Sequence, residues 1–378
     1  MPVHSTMSNR QRGESMSSRN IKPLIPNAWY IAAWSDELPE FEAGGKPLAR
    51  TILNRPLVLF RGADGRAAAL EDRCCHRGAP LSLGMIVDDG LQCGYHGMTF
   101  SGDGRCTVNP GEDPSDHWVQ GFPVAEKQRA VWIWMGDPAL ADPADIVEFP
   151  WHDRTGEWCF RYSYMPIECS FMLVMDNLMD LTHLGYVHGR TIGGTPQFHV
   201  AAEQETKRTE NGARMVRWTM NSPPPPTFSK AMPFKGMIDR MADFEYVAPA
   251  SVIQFTTAMD VGRGARENPD QPGALRIRIL HHATPETETT CHYFFSVGNG
   301  YRLNDPDANR DLFDEIYPTF LEDKAIMEGQ QRVILRDPER PLLIREHDIA
   351  VAYANRALAA FARRAAAQDR QPAMAAAV

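Results

Sequence analysis

Up to about residue 140 the apolar positions fall into short runs, at 56–60, 67–71, 91–100 and 130–134, bounded by Gly, Pro and Asp. Runs of that length between turn formers predict strands, and this half reads as a small antiparallel β sandwich. Residues 138–150, rich in Ala, Asp and Pro, read as a linker. Beyond it the pattern changes. Residues 171–187 are apolar on nearly every side and predict a buried helix, whereas 213–220, 251–257, 275–280 and 289–296 alternate as strands of an antiparallel sheet with helices on one face. A helical stretch at 320–331 follows, and the Ala- and Arg-rich residues 349–378 predict an exposed helix fraying into a tail. The fold class is α+β in two halves, 23–140 and 141–350, with 351–378 as terminal helix and tail and 1–22 as a disordered tail.

At 378 residues the chain is long enough for two cores. Its 43% hydrophobic and 23% charged residues suit a soluble globular enzyme, and a net charge of -9 without a Lys/Arg block argues against nucleic acid or an anionic membrane as partner. No stretch approaches the roughly 18 to 20 apolar residues of a membrane span. The Ser- and Arg-rich start lacks the apolar segment of a signal peptide, so a cytoplasmic protein is expected. Seven cysteines, an odd number, suggest metal thiolates in a reducing compartment and not a disulfide scaffold.

Two turn-rich loops carry Cys74-Cys75-His76 and Cys93-Gly94-Tyr95-His96, that is Cys-x-His, a gap of sixteen residues, then Cys-x-x-His. One thiolate and one imidazole from each loop suit a 2Fe-2S cluster in which Cys74 and Cys93 hold one iron and His76 and His96 the other, which is Rieske ligation. The His-ligated iron would lie at the exposed end, suited to passing one electron to a neighbour. A structural Cys2His2 zinc site is the alternative, but zinc fingers usually place a cysteine pair before a histidine pair. Gly78, Pro80, Gly94 and Gly97 supply tight turns. Cys75 reads as loop packing, and Cys106, Cys159, Cys169 and Cys291 as small buried hydrophobes.

The helix at 171–187 contains a second constellation: Asp176, Asn177 and Asp180 before His183, then His188. Buried carboxylates and imidazoles need partners, and a metal ion is the simplest, hydrogen-bonded core histidines being the alternative. At roughly 100° per residue, His183 and His188 point about 140° apart on a regular helix. Gly185 between them is the expected break that lets both rings face one ion. Two neutral imidazoles leave the ion short of charge, so a carboxylate from elsewhere is expected, completing the two-His-one-carboxylate set of non-haem Fe(II) oxygenases. From the residues alone Glu322, Asp323 and Glu328 remain equal candidates. His281, His282 and His292 in the later strands read as structural.

Taken together, Cys74-x-His76 with Arg77 to Gly84, Cys93-Gly94-Tyr95-His96-Gly97, and Asn177 to His183 with Tyr186-Val187-His188 resemble the Rieske non-haem iron oxygenases, nearest the vanillate O-demethylase and dicamba monooxygenase oxygenase components. The likeness covers about residues 24 to 345. It implies a Rieske domain followed by a helix-grip (START-like) catalytic domain, with Asp323 at the place of the family's iron-binding aspartate. It implies a homotrimer in which Asp180 links His76 or His96 of one subunit to His183 of the next, with Asn177 near enough to tune the iron or orient O2.

The chemistry implied is O2 activation at a mononuclear Fe(II), fed by the Rieske 2Fe-2S cluster. The chain has no convincing Gly-rich dinucleotide motif, so NAD(P)H would be used only indirectly, through a separate flavin reductase with or without a ferredoxin. Oxidative O- or N-dealkylation of a small aromatic compound is implied, with ring cis-dihydroxylation as the runner-up. A Rieske electron carrier and a zinc-stabilised binding module are the other readings. The pocket is expected at 218–256, with Trp218, Phe228, Met232, Phe234, Met237 and Phe255. That lining suits a bulky neutral aromatic better than an acid, although Lys230, Lys235 or Arg240 could receive an anion.

Overall fold

The computed structural model describes residues 24–368. The tail expected at 1–22 and the fraying end after Gln368 lie outside the described residues. The N-terminal half holds three small antiparallel sheets. The first pairs β1 (Trp29–Trp34) with β11 (Ala130–Trp134) and β10 (Val124–Lys127). The second orders β2 (Leu48–Ile52), β3 (Arg55–Arg61), β4 (Ala67–Glu71) and β9 (Gly121–Phe122). The third orders β5 (Met85–Val87), β6 (Gly90–Gln92), β7 (Thr99–Phe100) and β8 (Cys106–Val108). The run at 91–100, expected as one strand, is two: residues 93–98 leave the ladder as a loop.

The C-terminal half is built on one seven-stranded antiparallel sheet. Its order is β12 (Cys159–Ile167), β18 (Cys291–Asn299), β17 (Leu275–Pro285), β16 (Ser251–Asp260), β15 (Ile238–Val247), β14 (Gly212–Ser222) and β13 (Glu203–Arg208). Helices α1 (Phe171–Met179), α2 (Leu184–Val187), α3 (Pro196–Val200), α4 (Pro226–Ala231), α5 (Ala308–Arg336) and α6 (Ile349–Gln368) complete it.

Two expectations change. The terminal helix is not exposed: α6 begins before residue 351, packs on α1, β13 and β14, and buries Ala350, Ala354, Leu358, Ala359 and Ala365. Alanines let it approach closely, and Asn355 donates to Asp176 at 3.2 Å. Nor is 138–150 a free linker. It winds into short 3-10 turns, the first two capped by Asp137 and Asp142 accepting from Ala139 N at 3.0 Å and Ala144 N at 2.9 Å, and it buries Ile146 and Phe149.

The reason is a shared second core. Seven of the 8 tryptophans, Trp29, Trp34, Trp132, Trp134, Trp151, Trp158 and Trp218, cluster between β1, β11 and the outer face of the large sheet. An apolar seam of that size joins the halves rigidly. Polar groups tie it as well: the bulge in β1 frees Ile31, whose N–H donates to His282 Nε2 at 3.1 Å while its carbonyl accepts from Thr284 Oγ1 at 2.6 Å.

His282 and His152 are held neutral here. His282 donates from Nδ1 to Ser251 Oγ at 2.8 Å; His152 donates to Gln128 O at 2.8 Å and accepts from Ser296 Oγ at 2.9 Å. Burial lowers them to about 3 and about 4, against an ordinary value of about 6.5. Below that value the unfolded chain binds more protons, so stability is complete above about pH 6.5 and is lost as pH falls towards the folded values. Each is expected to remove about 2 kcal/mol at about pH 5. Urea midpoints at pH 5 and pH 7.5 check this, the lower one belonging to pH 5.

Candidate metal centres and the cavity between them and the sheet

The two cysteine–histidine loops fold as a matched pair. Cys74 N donates to Ala79 O and Gly78 N to Cys74 O, both at 2.9 Å; Cys93 N donates to Met98 O at 2.8 Å and Gly97 N to Cys93 O at 3.1 Å. Gly78 and Gly97 close these turns at φ 68° and 77°, where a side chain would be strained. Cys74 and Cys93 are buried side by side, while His76 and His96 stand exposed with ring centroids 4.5 Å apart. Burial, chiefly, pushes the Cys74 thiol up to about 11, a cost that a bound cation would reverse. Paired buried sulfurs with paired outward imidazoles fit a Rieske cluster. Tyr95 and Trp118 stand exposed around it.

The second constellation assembles from α1, the turn after it, and α5. Helix α1 ends at Asp180, whose backbone is extended (φ -123°, ψ 98°) and whose Oδ1 accepts from Thr182 N at 2.9 Å and Thr182 Oγ1 at 2.7 Å. The helix expected over 171–187 is therefore interrupted at this Asp cap, not at Gly185, and both histidines follow the break, one at each end of the short α2. Gly185 has a different job: a Cβ there would lie 2.6 Å from Pro196 Cα, so it permits α2 and α3 to touch.

The structure brings His183, His188 and Asp323 together, with one ligand atom from each within 4.8 Å of the others. His183 donates from Nδ1 to the Asp180 carbonyl at 2.6 Å, and His188 from Nδ1 to Glu322 Oε2 at 2.7 Å. Those bonds leave each Nε2 as a lone pair facing Asp323 Oδ1, at 3.5 Å and 3.0 Å. Three acceptors so close repel unless a cation lies between them, and neutral nitrogens with one carboxylate oxygen are ligands that iron(II) accepts. Burial lowers the His183 pKa; for His188 burial acts the same way but is outweighed by Asp323 and Glu322. Asn177 Nδ2 donates to Asp323 Oδ1 at 3.2 Å and orients it.

The three carboxylates left open by the sequence thus part company. Asp323 faces the ion, Glu322 orients His188, and Glu328 accepts from Glu168 N and Lys324 Nζ as a structural anchor. The Asp180 carboxylate, expected to bond the His183 ring, does not; its carbonyl does.

The three ligands open into a cavity of about 900 Å3 including its mouth, between the helices and the inner face of the sheet. Phe228 and Arg240 line it as expected, but Trp218 and Phe255 belong to the tryptophan-rich core on the outer face, Met237 is exposed, and Met232 and Phe234 are partly buried against the core between the sheet and the helices. Strand alternation is the cause: Arg217, Thr219, Gln254 and Thr256 point inward, and their aromatic neighbours outward. Lys230 pairs with Glu315 at the surface and Lys235 is exposed. His281 lines the cavity, held by Tyr293 and Gln254, and His292 bonds Tyr164 and Thr51. Sequence reasoning passed over His199 and Arg217, both buried in the wall; polar residues at inward strand parity were the available signal.

Residues 28–124 match the Rieske [2Fe-2S] domain and residues 167–364 the vanillate O-demethylase oxygenase C-terminal domain. The chain is 37% identical over 323 residues to the iron-sulfur subunit of a toluene-4-sulfonate monooxygenase system from Comamonas testosteroni, covering 85% of this chain and 92% of that one. It is 36% identical to the vanillate O-demethylase oxygenase subunit of a Pseudomonas strain, over 84% of this chain and 89% of that one. The crystal structure of dicamba monooxygenase bound to 3,6-dichlorosalicylic acid superposes with a TM-score of 0.82 at 33% identity, covering 90% of this chain and 98% of that one. With a Rieske 2Fe-2S half, a mononuclear iron site at His183, His188 and Asp323 and relatives matched over nearly their whole length, the chain belongs to the Rieske non-haem iron oxygenases.

Proposed function

We propose that the chain is the terminal oxygenase component of a multicomponent monooxygenase that oxidatively dealkylates an aromatic compound at oxygen or nitrogen. The observation that carries this is the convergence of His183, His188 and Asp323 at one side of a largely apolar cavity. The O-demethylase relatives supply the reaction class. One oxygen atom of O2 enters a C–H bond of the alkyl group and the other leaves as water, with two electrons drawn from NAD(P)H by a separate reductase, directly or through a ferredoxin. The product collapses to a phenol or amine and an aldehyde.

Iron at the triad would supply O2 activation and the Rieske cluster one-electron storage. The chain's own residues do the rest. Cys74, Cys93, His76 and His96 hold the cluster in our reading, supported by their paired loops. Asp180 O and Glu322 fix the two imidazoles so that both Nε2 atoms stay unprotonated, and Asn177 holds the Asp323 carboxylate. The cavity wall of Leu178, Leu181, Ile192, Phe228 and Phe320 excludes water.

Within one chain the Asp180 carboxylate bonds Thr182, and no hydrogen bond among the described residues takes it to His76 or His96. A homotrimer, in which Asp180 links these histidines of a neighbour to His183, is the assembly we infer. The boundaries 23–140 and 141–350 and a helix-grip description of the sheet around α5 belong to the same proposal. Among the described residues no helix is long and apolar enough to cross a membrane.

Product analysis tests the reaction. With a generic NADH-linked reductase, methoxy-aromatics and N-alkyl anilides are expected to yield formaldehyde or a longer aldehyde with phenol or amine. A cis-diol from an unsubstituted ring position would instead establish the dihydroxylating reading.

A further inference from the structure

The inner face of the sheet carries two buried guanidinium groups in an otherwise largely apolar pocket. Arg217 on β14 is 5% exposed and lines the cavity, as does Arg240 on β15. The register pairs Thr219 with Arg240, so Arg217 and Arg240 are diagonal neighbours on one face. Arg240 is tied down: it donates to the carbonyls of Ile192 and Gly193, each at 3.3 Å. Arg217 is not. It donates from Nη2 to His199 O, while Nε and Nη1 are buried without any hydrogen-bond partner.

Two buried guanidinium nitrogens without a protein acceptor are costly in a protein interior, and an oxygen inside the cavity, from a ligand or from water, is what relieves them. No side chain does. The only carboxylate among the cavity's lining residues is Asp323, which is committed to the iron. Asp180 lies close enough to favour the Arg217 charge, but its Oδ1 is taken by Thr182. His199, lying between the two arginines, donates from Nε2 to Gly193 O at 2.7 Å and is held neutral by burial, so it adds no charge of its own. Burial, and for Arg240 also the neighbouring Arg217, lowers both guanidinium pKa values, Arg240 to about 10; both remain cationic at neutral pH.

We propose that Arg217, backed by Arg240, is the specificity-determining anchor for an oxyanion on the substrate, so that the cavity selects aromatic carboxylates or sulfonates over their uncharged analogues. The proposal rests on the oxygenase reading and deepens it. The anion sits against the sheet wall at β14 and β15, and the ring then extends across apolar Phe228, Ile277 and Ile279 towards the histidines on the helix side. This reverses the sequence-based expectation of a neutral substrate, and it replaces Lys230 and Lys235, which face solvent.

Equilibrium binding to the anaerobic holoenzyme, by titration calorimetry, tests it with para-methoxybenzoate, para-methoxybenzenesulfonate and the uncharged methyl para-methoxybenzoate. The wild-type protein is expected to bind at least one anion roughly 10- to 100-fold more tightly than the ester, the loss of a charged hydrogen-bond set being of that size. Preference between the two anions identifies the headgroup, and either one supports the anchor. Arg217→Met is expected to erase the advantage of the anion over the ester, Arg217→Lys to restore part of it, and the surface control Lys230→Met to alter neither affinity. Equal binding of anion and ester to the wild type overturns the proposal even if no Arg217 variant folds, as does unchanged anion binding by Arg217→Met. Either result leaves the oxygenase reading standing if the ester is demethylated; that reading fails separately if no methoxy-aromatic of either charge is oxidised.

Discussion

Asp323→Ala is expected to purify as a brown protein that keeps its cluster iron but has lost the mononuclear ion, falling from about three irons per chain to about two. NADH-coupled substrate oxidation should drop to background. The basis is the charge balance of the site: with Asp323 gone, His183 and His188 offer only neutral nitrogens, and no other described carboxylate faces their Nε2 atoms. Iron analysis beside the reduced-state resonance of the cluster reads both halves at once. Glu322→Gln is the informative neighbour. It keeps an oxygen that accepts from His188 Nδ1 but not the negative charge, so iron affinity is expected to fall by roughly 10- to 100-fold and to be recovered at excess ferrous ion. If Glu322→Gln lost iron as completely as Asp323→Ala, the division between a ligand and an orienting group would be wrong.

Asp180→Asn should separate electron delivery from site assembly. The amide oxygen can still accept from Thr182 N and Oγ1, so the turn that sets His183 is preserved, and the His183 ring bond runs to the backbone carbonyl, which the substitution leaves in place. What disappears is the carboxylate charge. Both metals are expected to stay bound, while turnover falls on the order of 100-fold, the scale at which lost outer hydrogen bonds impair metal enzymes. Rapid-mixing experiments would place the loss in oxidation of the reduced cluster. Normal turnover by this variant would overturn the proposed inter-subunit path through Asp180, leaving that residue only its role as a helix cap.

Much of this molecule was written in short-range pattern. The spacing of Cys74, His76, Cys93 and His96 specifies two matching loops because each thiolate and imidazole must leave its turn on the same side, a local matter of a few residues and a glycine. The strand runs of the C-terminal half, and His183 with His188 as a metal pair, were legible for the same reason. The position of the helix break was not: a glycine is an obvious place to expect one, but an aspartate that can cap the next turn interrupts a helix equally well, and only the packing of Gly185 on Pro196 shows which residue has which task.

What tertiary structure alone decided concerns choices between chemically similar residues. Glu322, Asp323 and Glu328 lie on one helix with one chemistry, and their roles depend on which of them α5 turns towards the two histidines, Asp323 standing 135 positions beyond His188. The substrate wall is the clearer case. Alternation along a strand tells which residues share a face but not which face meets the cavity, and large aromatics drew attention to Trp218 and Phe255. Those side chains are spent on the seam with the N-terminal half, so the opposite parity, with Arg217 and Arg240 on it, lines the cavity. Periodicity set what kind of fold this chain forms, and the spacing of cysteines and histidines what metals it holds; which side of the sheet is core and which is active site follows only once both halves have been packed together, because the apolar demand of the seam is met by residues from both.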